Sequence, residues 1–530
     1  MLKNLSFIIK INQDFIRHTD DEIKKNAPLL NKLFEVISNT YLPVLNMLEG
    51  FEKDAVQARI GLVITPVLCN LLSDSVIQDL YVQWIEKRIE FGQKELIRNK
   101  DNEKITENIK HIVQKFENNK KDFVEKYNQN LVTAFSEYQH LGFVELLATC
   151  GTDIFIPHYA DMKEIISAQI ESGLHSYKQF FGEIPEGFWL PELGYSNGVE
   201  KLIKAYGYTY TVLDARSILL AEKAPEKGLF YPARTENSLV LFGRDVTAYD
   251  EIFGEEGIIT SPSYKNENKD VGFELSREEL SLIWEDKSAR ISTGYKYWNK
   301  YYNDEEKSVY DMETAKKQAE ADAEYFLTKK SEKLNRAEQL LPENDFVCLV
   351  CVFDAYDFSQ NWSEGIYWLE TVIRNAKNYG INITSCDKML ENQYSLEKIV
   401  PYYSAGIGTG YGENLLSSKN CWMMRYIRKA CERMVDLSDR FPNDTGLKTR
   451  LLNLGAKELM MAQSLNLAKM IDSDENPEFA ELRFKESIDI FTAVFDSLGS
   501  NTVSTEWLTT LEAKDSLFPW MNYRIFSKKR

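Results

Sequence analysis

Over its first 400 residues the chain alternates short apolar runs with longer amphipathic or charged stretches, and this rhythm restricts the fold more than any other feature. The runs LSFIIKI, GLVIT, VELLAT, GFWLPE, YTVLD, LVLFGRD and FVCLVCVFDA have strand length, and helix-like segments such as MKEIISAQIESGLHSYKQFF and NGVEKLIKAYG lie between several of them. Strand, helix, strand at this spacing predicts an α/β fold on a parallel sheet or barrel. Residues 74–135 interrupt the rhythm with a charged helical insertion, whose charge pattern reads as a solvated face and not a binding tract. Residues 244–305 read as irregular, with GEEGIITSPSYKNENKD a long loop of the kind used for lids or mobile segments. After about residue 400 the strand signal stops, and stretches such as TGLKTRLLNLGAKELMMAQSLNLAKMI carry helical periodicity. The expected organisation is a β/α domain over 1–400 and an all-helical domain over 401–530.

The formal net charge is −18 at pH 7, which repels nucleic acid and anionic membrane surfaces and favours a neutral or cationic ligand. The basic C-terminal SKKR is too short to alter this and reads as a solvated tail. The start, MLKNLSFIIKINQDF, lacks the longer apolar core of a secretion signal, and no run approaches a membrane span. Seven cysteines without regular spacing fit a reducing cytoplasm. Cys348 and Cys351 form a C-x-x-C inside FVCLVCVF, but on a strand they face opposite sides, so buried packing is expected rather than a redox pair.

Four of the apolar runs end on an acid: Glu192, Asp214, Asp245 and Asp354. In a β/α barrel the carboxyl ends of the strands converge on one face, where acids from separate strands meet in a polar pocket. A capping Asp before a helix looks the same, and Asp214 fits either reading. Paired carboxylates suit glycoside chemistry, in which one stays ionised and attacks the anomeric carbon while the other, its pKa raised, protonates the leaving oxygen. Trp189, Tyr195 and Trp362 lie close by in sequence and read either as sugar-stacking rings or as core aromatics. Metal chemistry lacks its signal: the histidines His18, His111, His140, His158 and His175 have no ligand spacing, and no metal or other cofactor is expected. Phosphate-loop, dinucleotide and G-x-S-x-G motifs are absent.

With these segments in view, the sequence resembles glycoside hydrolase family 57, most closely its branch of 1,4-α-glucan branching enzymes and related α-amylase-like proteins. GFWLPELGY resembles the family's W-L-P-E-C-x-Y and puts Glu192 at the nucleophile position. FDAYDFSQNWSEG resembles F-D-A-E-L-F-G-H-W-W-x-E-G and puts Asp354 at the general acid/base. FGRD at 242–245, ELMMAQS at 458–464 and AKDSLFPWMNYR at 513–524 extend the likeness along the chain. The resemblance implies a distorted seven-stranded β/α barrel with a helical insertion and a C-terminal helical domain. It implies a retaining, metal-independent mechanism on α-glucan or oligosaccharide, with carboxyl groups roughly 5–5.5 Å apart. Besides the two acids, the substrate-binding candidates are Trp189, Tyr195, Asp214, Arg244, Asp245, Trp362, Asp153 and Asn12.

Departures from the family pattern gather where sugar is expected to bind. The early H-x-H-x-P is here Lys10, Ile11, Asn12, Gln13, Asp14; A-T-H ends in Asp153; and D-x-H reads Asp214, Ala215, Arg216. Tyr356, Ser359, Gln360 and Asn361 replace Glu, Gly, His and Trp of the second motif, and S-S-W-G reads SAGI at 404–407. Asn466 and Leu467 replace Asp and Trp of Q-S-S-D-W, and Ile259 stands where branching relatives carry a loop Tyr. A cation at Lys10 or Arg216 beside Asp354 is expected to lower its pKa. Three readings follow: an α-glucan-acting enzyme; a catalytically impaired relative that binds glucan or another partner; and an enzyme for a charged sugar meeting Lys10 and Arg216.

Overall fold

The computed structural model describes residues 1–16, 27–283, 290–301, 308–391, 395–500, 502–514 and 516–528. Its architecture is α/β, with two sheets of mainly parallel strands followed by a helical C-terminal region. One sheet contains β1 (Leu2–Ile11), β2 (Ile60–Ile64), β3 (Val144–Leu146), β8 (Phe346–Asp354) and β9 (Asn382–Ile383). The other is ordered β4 (Gly187–Phe188), β5 (Tyr210–Leu213), β7 (Val240–Gly243) and β6 (Ala233–Arg234), the last antiparallel. The sheets meet at two margins through isolated parallel bridges, Ala148 to Phe188 and Arg244 to Val350.

β1 lies between β2 and β8 in the first sheet and is buried on both faces, one of them mainly apolar and the other carrying Asn4, Ser6 and Lys10 around Ile8. Leu5, Phe7, Ile9 and Ile11 join the large core under the helices, while Ile8 turns inward to a second cluster with Val63, Leu147, Trp189, Val212, Phe242 and Val350. That second cluster draws a side chain from β1, β2, β5, β7 and β8 and from the residues just after β3 and β4. Alternation along β8 sends Cys348 into the inner cluster and Cys351 into the outer one, and both thiols are free and buried, as packing residues should be.

Seven of the nine strands coincide with the expected runs. β6 and β9 were not anticipated, since two residues carry no periodicity to read. GFWLPE makes only a two-residue strand, because Pro191 has no N–H to continue the ladder and the chain turns into a 3-10 helix, Pro191–Leu193. The insertion is helical over Ser75–Arg98, Glu103–Lys121 and Leu131–His140, burying Tyr81, Trp84 and Phe91 while its charged positions mostly face outward.

The segment expected to be irregular, 244–305, has more structure than its composition suggests. It carries short helices Ala248–Phe253, Ile258–Thr260 and Val271–Glu274, and antiparallel bridges join Lys265 to Asn299 and Asp270 to Lys296. Asp270, nearly fully buried, accepts from the Gly272, Thr293 and Gly294 amides and the Ser292 and Thr293 hydroxyls. Tyr295 and Tyr297 then tie the segment to the insertion through the Arg88 carbonyl and the Glu95 carboxylate. Residues 284–289 and 302–305 of this stretch, and His18, lie outside the described residues.

No named strand follows Ile383 among the described residues; the C-terminal region contains helices Trp422–Arg440, Leu447–Ala462, Leu465–Ser473, Pro477–Ser500 and Thr505–Lys514. It is fastened to the loop after β3 and to the helix Lys163–Phe181: Thr152 donates to the Met460 carbonyl at 2.9 Å, Gln169 to Gln463 at 2.8 Å, and the Leu465 amide to the Asp153 carbonyl at 2.6 Å. These bonds bring the helix Leu465–Ser473 over the carboxyl end of β1. No helix of the described residues is long and apolar enough to cross a membrane.

Candidate active site

The carboxyl ends of the strands open into a cavity of about 840 Å³ lined by Lys10, Trp189, Glu192, Asp214, Arg216, Arg244, Asp245, Tyr249, Asp354 and Asp357. A smaller chamber of about 300 Å³, lined by Asn12, Asp14, Lys32, Tyr356, Asn466 and Lys469, shares Asp354 and Asp357 with it. The two expected catalytic acids therefore face one hollow.

Glu192 reaches the cavity through an uncommon backbone. It and Leu193 both lie in the left-handed region, with φ of 52° and 51°, which costs roughly 1–2 kcal/mol per non-glycine residue. The Glu192 carbonyl is anchored by the Gly406 amide at 2.6 Å, and the Leu193 amide by the Leu190 carbonyl at 2.8 Å. Strain of this kind persists where surrounding contacts over-determine it, and here it directs a carboxylate off the end of a strand.

Glu192 Oε1 accepts from two ammoniums, Lys10 at 3.3 Å and Lys469 at 2.5 Å. Lys10 also reaches Asp153 Oδ2 at 3.2 Å, which Asn12 Nδ2 approaches to 3.1 Å; Thr65 in turn donates to Asn12 Oδ1. Burial alone would raise the Glu192 pKa, but Lys469 and Lys10 outweigh it and hold the carboxyl well below the usual range. Burial likewise works against charge on Lys10, yet Asp153, Glu192 and Asp354 together keep it protonated.

Asp354 ends β8 directly beside Lys10, the two being register partners in the β1–β8 ladder. Its Oδ1 accepts from the Tyr356 amide at 2.9 Å. The expectation that a neighbouring cation would lower this acid is corrected by its surroundings: burial raises the pKa, Glu192 adds to the rise, and the opposing pull of Lys10 and Lys469 is smaller. Arg216 is not free to act on Asp354, because its Nη1 lies 3.1 Å from Asp214. Two carboxyls pushed in opposite directions across one cavity have the arrangement an acid and a nucleophile require.

Asp214 satisfies both of its sequence readings. Its carboxylate caps the helix Ala215–Leu219 through the Arg216 amide, and it also lines the cavity, paired with Arg216 and with Arg244 Nε at 2.7 Å. Asp245 is saturated by Lys330 at 2.6 Å and by Lys333, and these cations, outweighing burial, keep its pKa low. Trp189 borders the cavity, 3% exposed, and its Nε1 has no hydrogen-bond partner among the described residues. Asn12 lines the smaller chamber, and Asp153 lies behind it on Lys10.

Tyr195 and Trp362 sit elsewhere. The Tyr195 ring is in the core with its hydroxyl on Glu200 at 3.0 Å. Trp362 is 0% exposed and packs edge-on against Tyr264 and Phe253, centroids 5.3 and 6.3 Å away, and against Trp368. Trp362→Ala is accordingly expected to destabilise the fold by about 3–5 kcal/mol, seen as a lowered denaturation midpoint. An unchanged midpoint with weakened ligand binding would put the ring back at the site.

The departures from the family pattern are wired into new contacts. Tyr356 lies under Lys32, its ring centroid 4.1 Å from the ammonium; Gln360 donates to Glu35 at 2.9 Å; and Asn361 donates to Asp357 at 3.0 Å. Asn466 bonds Asp14, whereas Leu467 is core, and Ile259 packs partly buried against the core with its carbonyl on Lys300. The Ser359 side chain lies outside the described set. None of the four described histidines lines either chamber.

Lys469 and Asp357 are among the cleft residues that no local sequence signal singles out. Lys469 reaches Glu192 across 277 residues, and nothing local in LNLAKMI marks it. Asp357 lies inside FDAYDF; burial and the charge of Asp354 push its pKa up to about 7. An acid that ionises late in the folded state but near 4 when unfolded loses stability as pH rises between those values, then levels off. Asp357→Asn should thus match the parent near pH 4 and exceed it by about 1–3 kcal/mol above pH 7. Denaturant titration at both pH values checks this, and equal stability above pH 7 would contradict it.

The family model for glycosyl hydrolase family 57 matches residues 6–347, and that for the C-terminal region of 1,4-alpha-glucan branching enzymes matches residues 426–526. A 1,4-alpha-glucan branching enzyme of Thermococcus kodakarensis is 24% identical over 481 residues, covering 85% of this chain and 68% of its own. Among solved structures, the alpha-amylase AmyC of Thermotoga maritima superposes with a TM-score of 0.90 at 26% identity, covering 99% of each chain. The family 57-type branching enzyme of Pyrococcus horikoshii gives 0.87 at 22% identity over 100% of this chain and 98% of its own, a likeness of fold.

Proposed function

This chain belongs to glycosyl hydrolase family 57, in its branching-enzyme-like branch, and we propose that it acts on α-glucan by a retaining mechanism with Glu192 as nucleophile and Asp354 as general acid/base. One observation carries the reading: Lys10 is the register partner of Asp354 while its ammonium bonds Glu192, so a single cation stands between two carboxyls of opposed pKa shift on one cavity. In the first step Oε2 of Glu192, which takes no hydrogen bond from the described residues, attacks the anomeric carbon, and protonated Asp354 delivers its proton to the departing glycosidic oxygen. Asp354, now ionised, takes a proton from the acceptor hydroxyl, which displaces Glu192 and restores both groups. A water acceptor gives hydrolysis, and a glucan 6-hydroxyl gives an α-1,6 branch.

The scaffold in this proposal is a distorted seven-stranded barrel of β1, β2, β3, β4, β5, β7 and β8, seamed at the two isolated bridges, with a helical domain over 401–530. The inner cluster, to which every one of those strands or its immediate extension contributes, supports it. Trp189, Asp214 and Arg244 are the proposed glucan contacts, since each borders the cavity.

A second reading, a cleft that holds glucan without turning it over, rests on the two ammoniums that occupy Glu192 Oε1 and lower its basicity. Incubation with linear amylose separates the two. The proposal expects new α-1,6 linkages or new reducing ends; retention of the protein in a glucan affinity gel without product would favour binding alone. Absence of both would overturn glucan as the ligand.

A further inference from the structure

Away from the cleft, and sharing no lining residue with it, lies a groove of about 540 Å³. It runs between the insertion helix Glu103–Lys121, the helices Leu42–Lys53 and Gly365–Asn375, and the bridged segment around residues 265–296. Three lysines from separate stretches line it: Lys115 from the insertion, and Lys265 and Lys296 from opposite sides of the antiparallel bridges. In a chain of net charge −18 such a gathering calls for an explanation.

The nearby acids, Glu267 and Glu364, offset this charge only in part. Glu267 is spent on Lys296 at 2.7 Å and on the Ser363 amide at 2.8 Å. Glu370 is engaged by Arg374 Nε at 2.8 Å. Glu364 takes the Lys265 amide, and burial drives its carboxyl toward the neutral form, with Glu267 reinforcing the shift and Lys265 opposing it. Among the described residues neither Lys115 nor Lys265 forms an ion pair: the first donates to Asn39 Oδ1 at 2.8 Å, and the second lies 4.7 Å from the centroid of the Tyr310 ring. Shielding from water and then repulsion from Lys265 press the Lys115 pKa down; because that residue is solvent-exposed, the repulsion is the more telling of the two.

We propose that this groove binds a small phosphate-bearing ligand, with the ammoniums of Lys115 and Lys265 as its main partners and the spare N–H groups of Lys296 completing the cradle. A phosphate carries close to two negative charges near neutral pH and several strong acceptor oxygens, which matches two ammoniums outside any ion pair of the described residues better than a neutral sugar would. The ligand is either inorganic phosphate or a sugar phosphate, and the chemistry they share is the phosphate itself.

Isothermal titration of the full chain at low ionic strength tests this with inorganic phosphate, glucose 6-phosphate and glucose as probes. Expected is saturable binding of at least one phosphate-bearing probe, weakened by added salt and weakened at least tenfold in Lys115→Met/Lys265→Met. Tighter binding of the ester would identify a sugar phosphate, and equal binding the inorganic ion. The exposed single change Lys115→Gln, expected to fold as the parent does, gives the same reading should the double variant fail to fold. No saturable binding of either phosphate probe, binding indifferent to the lysine changes, or glucose binding as tightly as its phosphate would each overturn the proposal.

Discussion

Glu192→Gln should lower turnover on α-glucan by a factor on the order of 10⁴ or more while leaving the fold and glucan binding in place. The amide has the carboxylate's shape and still offers an oxygen to Lys469, and Lys10 retains Asp153. What is lost is the atom that forms the glycosyl ester in the proposed mechanism, a contribution other residues cannot make. Reducing-end and α-1,6 linkage assays on parent and variant, with affinity electrophoresis in glucan gels, provide the measurement. A variant that retains most of the parent's activity would remove Glu192 from the chemistry.

Lys10→Met is expected to cost about 3–5 kcal/mol of stability at neutral pH, because it removes the cation from a buried cluster and leaves Asp153 and Glu192 facing each other. Asp153 and Lys10 are respectively 5% and 7% exposed, so water offers little relief. The pH dependence follows from the sign of the Glu192 shift. A carboxyl depressed in the folded state adds stability that is present above its unfolded value near 4.3 and is lost as pH falls through the depressed value. Without Lys10 that contribution shrinks, so parent and variant should differ most at neutral pH and converge in acid. Urea titrations at pH 7 and below pH 4 measure the gap; a variant as stable as the parent at pH 7 would show that the ammonium does not hold the site together.

The legible parts of this molecule are those where a local pattern carries the signal. Ten residues of β1 and nine of β8 announce buried strands, and alternation correctly separates Cys348 from Cys351. The acids at strand ends pointed to the cleft because strand polarity converts position along a run into position at one end of the sheet. Trp362 could not be placed the same way: it stands two residues from Glu364 in a motif-like segment, but a π-helical turn at Asp357–Asn361 precedes it and its ring turns into the core. The segment around Asp270 looked irregular because a single buried carboxylate, collecting amides more than twenty residues away, leaves no periodic trace. Lys469 is the extreme case, a residue whose role depends wholly on how the C-terminal helices dock onto Thr152 and Asp153. The opposite sign of the Asp354 shift had a related cause, since burial of a strand end is a tertiary quantity that neighbouring charges do not reveal.

The most direct test treats the protein with an activated fluorosugar that forms a glucosyl ester but releases it slowly, followed by peptide mass spectrometry. The account predicts a mass increase of one modified glucosyl unit on the peptide containing Glu192, absent from Glu192→Gln, with products of retained anomeric configuration. A label on a different residue, or products of inverted configuration, would contradict it.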